Sequence, residues 1–345
     1  MRQPGSANSN AQMTPPTISD VAELAGVSIK TVSRVLNGEP HVRPVLRQKV
    51  LSAVEALAYT PNQAARRLAG NRSFLIALLY NNPTPSYVAG IQSGAARHCR
   101  GLGYHLIVEP LEREQGNDPV PVSNMLKTLA PDGVILIPPL SDDPALLEQI
   151  EAFGTPIVRI AGSGAGAGVT LVTAERDAGR LAVGHLIARG HRRIAMVAPP
   201  LSHKAANERL LGYQDALAAA GIEYNNELVI RGRFDVESGQ EAAAHLLALN
   251  RKPTAIFAAN DEMALGVMRA ARERGLAIPD DLSVVGFDDT PSSRSAWPPL
   301  TTMRQPLEEL GAAAVETIVR PCAEQKMDWR FSLVERASVA KPQSL

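Results

Sequence analysis

Only two cysteines, Cys99 and Cys322, occur in 345 residues. They are too few and too far apart to build a disulfide framework, which suits a reducing compartment. No apolar run reaches the length of a membrane span, and the first residues, MRQPGSANSNAQMTPP, lack the charged-then-apolar order of an export signal. Residues 1–16 therefore read as a disordered leader, with Met13 as an alternative start, and no membrane role is expected. Catalytic order is missing as well: no P-loop, no Ser/His/Asp arrangement and no paired acid/base carboxylates stand out, so no enzyme activity is expected. His98-Cys99 lacks a second ligand pair at metal spacing, and neither a metal nor a cofactor is expected. His98, His105, His185, His203 and His245 share no spacing and read as solvated or locally hydrogen-bonded. The run Gly162–Gly168 fails as a dinucleotide fingerprint, because the third glycine would fall at 167, an alanine, and no helix follows. It reads as a flexible surface loop.

Net charge is the last absence: 35 Lys/Arg stand against 35 Asp/Glu. The balance conceals an asymmetry. Between Thr17 and Arg72 there are eight bases against four acids, whereas residues 73–345 hold 26 bases against 31 acids. A basic head on a mildly acidic body is expected of a protein whose one end meets a polyanion. The length exceeds what one core serves, so two or three domains are expected, and 45% hydrophobic content is ample to bury them.

The head begins with Val21, Ala22, Leu24 and Ala25, spaced as the apolar stripe of a short helix that Gly26 stops. Ser28 is placed to cap a second helix, in which Val32, Val35 and Leu36 repeat the stripe and Asn37-Gly38 ends it. The opposite face carries Ser28, Ile29, Lys30, Ser33 and Arg34. Such a face suits a major groove; it equally suits an ordinary solvated helix pair. Pro44 opens a third helix with Leu46, Val50, Val54 and Leu57 inward. Thr60-Pro61-Asn62 breaks the chain, and Gln63–Gly70 has good helix formers but too few residues to be stable alone.

From Phe74 the period changes. Short β-rich runs (74–79, 104–108, 133–137, 156–160, 193–198, 228–230, 254–258, 283–287) alternate with amphipathic helical stretches. That alternation predicts parallel, doubly wound sheets, in two α/β lobes. Such sheets leave a crevice at the C-terminal ends of their strands. Asp288, Asn260 and Arg209 would offer acceptors and donors there, and Phe234 or Tyr87 an aromatic face. A buried ion pair between Arg209 and Asp288 is the competing reading, and Asp289 reads as structural.

The runs ISDVAELAGVS, TVSRVLNG and YTPNQAARRLAG, in this order and spacing, resemble the DNA-binding headpiece of the LacI/GalR family of bacterial transcriptional repressors. The body resembles the same family through His185-Leu186-Ile187, Gly190–Ala195, Arg209–Tyr213, Asn260–Gly266, Val284–Asp289 and Pro299–Thr302. The resemblance implies an all-α helix-turn-helix headpiece (17–59), a hinge helix or linker (60–73), and an α/β periplasmic-binding-protein-like (type I) two-lobed effector domain (74–340), followed by a tail (341–345). Its N-lobe would take about 74–173 plus 305–328, and its C-lobe about 174–304 plus 329–340. Ile29, Lys30 and Arg34 would read bases, Ser28, Thr31 and Ser33 would hold phosphates, and Asn37, His41, Asn62, Ala65 and Arg66 would lie at the DNA, with Leu68 wedged into the minor groove. Tyr87, Arg209, Phe234, Asn260, Asp288 and Gln305 would line the effector pocket. The implied protein is a cytoplasmic homodimeric repressor of a carbohydrate-utilisation operon, bound to a pseudo-palindromic double-stranded operator and controlled by a small molecule, a sugar by family habit. A purine-like co-repressor is the alternative, with a sugar receptor or enzyme behind it. Two departures stand out: Arg43 replaces the usual capping Ser, and NNPTPSY replaces the usual first-strand loop, which leaves the sugar open.

Overall fold

The computed structural model describes residues 16–36, 41–59, 72–111, 120–164, 166–321 and 329–343. The chain divides into two compact units, residues 1–72 and 73–345. In the first, α1 (Ile18–Ala25), α2 (Ile29–Leu36) and α3 (Pro44–Ala56) close round Val21, Ala22, Ala25, Val32, Val35, Val50, Ala53 and Tyr59. Thr17 and Asp20 form a reciprocal capping box at α1, which satisfies two orphan N–H groups. Gly26, at φ +64°, ends α1 with its N–H returned to Ala22 and Glu23. Leu24 departs from expectation: it is 56% exposed, because two small residues and Val21 already fill the contact. Arg43 caps α3 with no side-chain hydrogen bond, the expected loss.

In the second unit, β1 (Leu75–Tyr80), α4 (Pro85–Gly101), β2 (His105–Pro110), α5 (Val120–Leu129), β3 (Gly133–Leu136), α6 (Pro144–Ala152), β4 (Ile157–Ile160) and β5 (Val169–Leu171) build one lobe. Its sheet runs β2-β1-β3-β4-β5, all parallel. The other lobe follows with α7 (Glu175–Ala188), β6 (Ile194–Ala198), α8 (Lys204–Ala219), β7 (Val229–Arg231), α9 (Val236–Leu246), β8 (Ala255–Ala258), α10 (Asp261–Glu273), β9 (Ser283–Asp288), α11 (Pro291–Ser295) and β10 (Thr301–Arg304). Helix α12 (Leu307–Val319) then returns to pack on α4 in the first lobe, and β11 (Ser332–Val334) closes the second sheet antiparallel to β10, in the order β11-β10-β9-β8-β6-β7. The chain thus passes between lobes three times.

All eight expected strands are present to within two residues. Three further strands, β5, β10 and β11, each three or four residues long, fall outside the expected runs. The glycine run is not a free loop in its described part. Arg159, 3% exposed, donates to the Gly164 carbonyl at 2.9 Å and to Thr170 Oγ1 at 2.6 Å, and a Cβ at Gly166 would strike its guanidinium.

Three helix pairs approach closely through reciprocal glycines. A Cβ on Gly94 (α4) would sit 1.9 Å from the Glu308 carbonyl, and one on Gly311 (α12) 2.2 Å from that of Ile91. The same exchange joins α7 and α8, where Gly212 faces the Arg176 carbonyl at 2.1 Å and Gly179 that of Arg209 at 2.6 Å, and α9 and α10 through Gly239 and Gly266. Each pair is therefore set backbone against backbone.

Candidate ligand cleft and nucleic-acid interface

Helix α2 buries Val32 and Val35 and turns the other face outward. Ser28, Ile29, Lys30, Arg34 and, beyond the helix, His41 are exposed; Thr31 and Ser33 are half-buried. Ser28 Oγ accepts the Thr31 N–H at 3.2 Å and lies 2.9 Å from Thr31 Oγ1, so the predicted cap is formed and the two hydroxyls start out paired. Ile29, 50% exposed, is an apolar side chain among donors, as a thymine methyl contact requires. The expected sites at Asn37, Asn62, Ala65, Arg66 and Leu68 lie outside the described residues.

In the second unit a cleft opens where the strands end. Asn82 and Thr84 after β1, Pro138 after β3 and Ala161 after β4 supply one wall; Glu175, Arg209, Phe234, Asp288 and Gln305 supply most of the other, with Tyr87 of α4 and His203. This is the position at which open parallel sheets bind ligands. The empty space is about 380 Å³ counting its mouth, yet the centre of a water molecule has only about 30 Å³ to occupy, so the walls are closely set.

Five of the six expected pocket residues line this one space: Tyr87, Arg209, Phe234, Asp288 and Gln305. Asn260 does not. Its Oδ1 caps α10 by accepting the Met263 N–H at 2.9 Å, and its Nδ2 donates to the Phe234 carbonyl at 3.0 Å and reaches Thr84 Oγ1 of the opposite lobe at 3.4 Å. An Asn followed by Asp261 and Glu262 is a helix-start pattern, and that signal was legible in the sequence.

Arg209 and Asp288 form no ion pair within 4.0 Å, contrary to the competing reading. Arg209 instead donates from Nε to Glu175 Oε2 at 2.7 Å and from Nη1 to the Ala259 carbonyl, with its guanidinium 3.6 Å from the centre of the Phe287 ring. Glu175, the first residue of α7 and 4% exposed, was invisible to sequence reasoning because its partner lies 34 positions on. Among the described residues the Asp288 carboxyl has one side-chain hydrogen bond, from the Gln305 Nε2 donor. Burial pushes its carboxyl well above the usual range, and the charge of Arg209 only partly opposes this.

Polar atoms aimed at the cleft lack partners. Gln305 Oε1 and His203 Nε2 are buried with no hydrogen bond among the described residues. His203 stands edge-on to Phe234, ring centres 4.9 Å apart, and burial followed by the nearby Arg209 charge lowers its pKa to about 4. The expected local bonding is present, Nδ1 lying 3.2 Å from Ser202 Oγ, and the ring is in addition a neutral wall of the cleft. Phe234 and Asp288 also sit at φ +68° and +117°, conformations that cost ~1–3 kcal/mol each and gather at binding sites. Asp289, by contrast, accepts hydrogen bonds from Arg294, Arg304 and Arg336 and holds the second lobe together.

Among the described residues no helix is long and apolar enough to cross a membrane, and no cluster of three metal-ligating residues occurs. Residues 17–62 match the family model for bacterial regulatory proteins of the lacI family, and residues 183–339 match a periplasmic binding protein-like domain. The HTH-type transcriptional regulator DegA of Bacillus subtilis is 36% identical over 307 residues, 88% of this chain and 90% of DegA. The HTH-type transcriptional repressor PurR of Mannheimia succiniciproducens is 35% identical, over 94% of this chain and 99% of its own. Among solved structures, the lac repressor dimer bound to operator and the anti-inducer ONPF superposes with a TM-score of 0.75 at 34% identity, covering 95% of this chain and all of that one. The transcriptional regulator CelR in complex with cellobiose superposes with a TM-score of 0.69 at 33% identity, covering 94% and 99%.

Proposed function

The chain belongs to the LacI family of bacterial regulatory proteins and is a DNA-binding transcriptional repressor rather than an enzyme, and from that premise we propose that it acts as a cytoplasmic homodimer released from, or driven onto, its operator by a small hydroxylated ligand, a sugar, held in the cleft. The observation that carries the effector reading is the set of unmet polar groups round one space: Gln305 Oε1, His203 Nε2 and a buried Asp288 carboxyl with no ion pair among the described residues. Buried groups of this kind call for partners that a hydroxylated ring supplies. Tyr87 and Phe234 cover its apolar face, and Arg209, fixed by Glu175, presents a donor edge.

At the other end, Ile29, Lys30 and Arg34 reach base edges, Ser28, Thr31 and Ser33 hold phosphates, and His41 follows. Asn37, Asn62, Ala65 and Arg66 complete the contact, while Leu68 from each copy kinks the centre of a pseudo-palindrome. The two ends communicate because a ligand that draws the lobes together changes the spacing of the hinge segments, a coupling of ~1–3 kcal/mol that is equal in both directions.

Operator DNA selected from a random library and followed by fluorescence anisotropy tests this. Specific binding should appear, with Lys30→Ala costing about 1–3 kcal/mol and relaxing specificity at the base pair it reads. A panel of mono- and disaccharides and purines should contain one sugar that shifts affinity about 5–150-fold. Enrichment of no sequence would overturn the headpiece roles, and a response to a purine alone would overturn the sugar.

A further inference from the structure

The charges that line the inner pocket are largely matched or suppressed. Arg209 is matched by Glu175 at 2.7 Å, His203 is neutral, and burial drives Asp288 towards its uncharged form. Beside it lies a second, wider cleft, about 1050 Å³ counting its mouth, which shares Asp288 and Gln305 with the first. It holds three arginines where the inner pocket holds one, already paired. On one side stand Arg294, Arg304 and Arg330, and behind them Asp289, only 2% exposed, accepts from three guanidinium groups: Arg304 Nε at 2.7 Å, Arg294 Nη2 at 3.2 Å, and Arg336 Nη2. Burial alone would raise Asp289, but the hydrogen bonds from Arg336 and Arg304 outweigh it and keep the carboxylate ionised.

One carboxylate cannot neutralise three guanidinium groups, and two of them face solvent: the side chains of Arg304 and Arg294 are 54% and 61% exposed. Arg304 commits only Nε, so among the described residues its terminal nitrogens remain available as a planar fork. The acids across the cleft are Glu308 and Glu309; Glu308 is engaged by Arg97 at 3.2 Å. Strand pairing sets Arg304 beside Asp288, and Gln305 follows next in the chain, so the inner pocket and the cationic wall are one residue apart.

We propose that the effector is an anionic sugar, its hydroxylated ring in the inner pocket and its phosphate or carboxylate on Arg304 and Arg294 in the outer cleft. The proposal rests on the effector reading above and narrows it to a ligand class. Gln305, placed on both walls, is the divider: its orphan Oε1 meets a ring hydroxyl next to the group that carries the charge.

Titration calorimetry on the full chain decides the matter, with hexoses and pentoses, their terminal phosphates and the matching uronates as probes. One phosphate or one uronate should bind at least about tenfold tighter than its neutral parent, and which of the two it is identifies the anion. The preference should shrink with added salt. Arg304→Ala, at an exposed side chain, should reduce the preference to within about twofold while leaving the parent sugar's affinity unchanged. Arg294→Gln should weaken it in the same sense. Equal binding of parent and anionic sugars, or a preference that survives Arg304→Ala, overturns the proposal and leaves the sugar reading intact. Failure of every sugar to bind overturns both.

Discussion

Asp288, the proposed effector ligand, works against the fold that holds it. Its pKa is raised in the native state, chiefly by burial, so between the ordinary carboxylate value and the raised one the native chain holds a proton that the unfolded chain has released. Stability therefore falls as pH rises through that window. Asp288→Asn keeps the acceptor for Gln305 and removes the penalty. The variant should be more stable at pH 8 by ~1–3 kcal/mol, read as a higher melting temperature, and the gap should close as pH falls towards 4. Effector affinity should drop about tenfold or more in the same variant. At this scale the sequence was partly legible: Tyr87, Phe234, Asp288 and Gln305 were named as pocket residues and meet at one cavity. Glu175 and His203 were not, because their contacts come from tertiary packing between elements, which leaves no spacing to read.

Elements are positioned by the reciprocal glycines, and one pair reaches into the cleft. Gly179 of α7 presses on the backbone of Arg209 in α8, with a virtual Cβ 2.6 Å from its carbonyl oxygen and 3.0 Å from its Cα. Gly179→Ala should force the helices apart at a cost of ~1–3 kcal/mol and pull Arg209 from Glu175 and the Phe287 ring, lowering effector affinity without altering any cleft side chain. Gly184→Ala in the same helix meets nothing within 4 Å and should stabilise by ~0.5–1 kcal/mol. Thermal melts and effector titration of both variants separate the two effects. Helix-strand alternation was readable because period 2 and period 3.6 differ over five or more residues; which helix faces touch at backbone distance was not, since a glycine that packs and a glycine that turns are spelled alike.

For the whole molecule, the two-lobed parallel architecture followed from the alternation, but its interleaving did not. The first lobe is complete only when α12 returns to α4, and the second only when β11 pairs with β10. A strand of three residues and a lone helix carry no periodic mark of which sheet they serve, so the expected return over 305–328 came from the family resemblance and not from patterning. The headpiece, in contrast, closes its core within residues 18–59. During synthesis this makes a difference in time. At about 5–20 residues per second, the headpiece emerges roughly ten seconds to a minute before either lobe can finish. Chains arrested before residue 307 should release a protease-resistant headpiece from lobes that are still digestible, whereas resistance of the first lobe at that length would show that it can close without α12. The part that contacts the operator is thus ready before the part that governs it, and every newly made copy passes through an interval in which it can form its fold for DNA and has no means of sensing its effector.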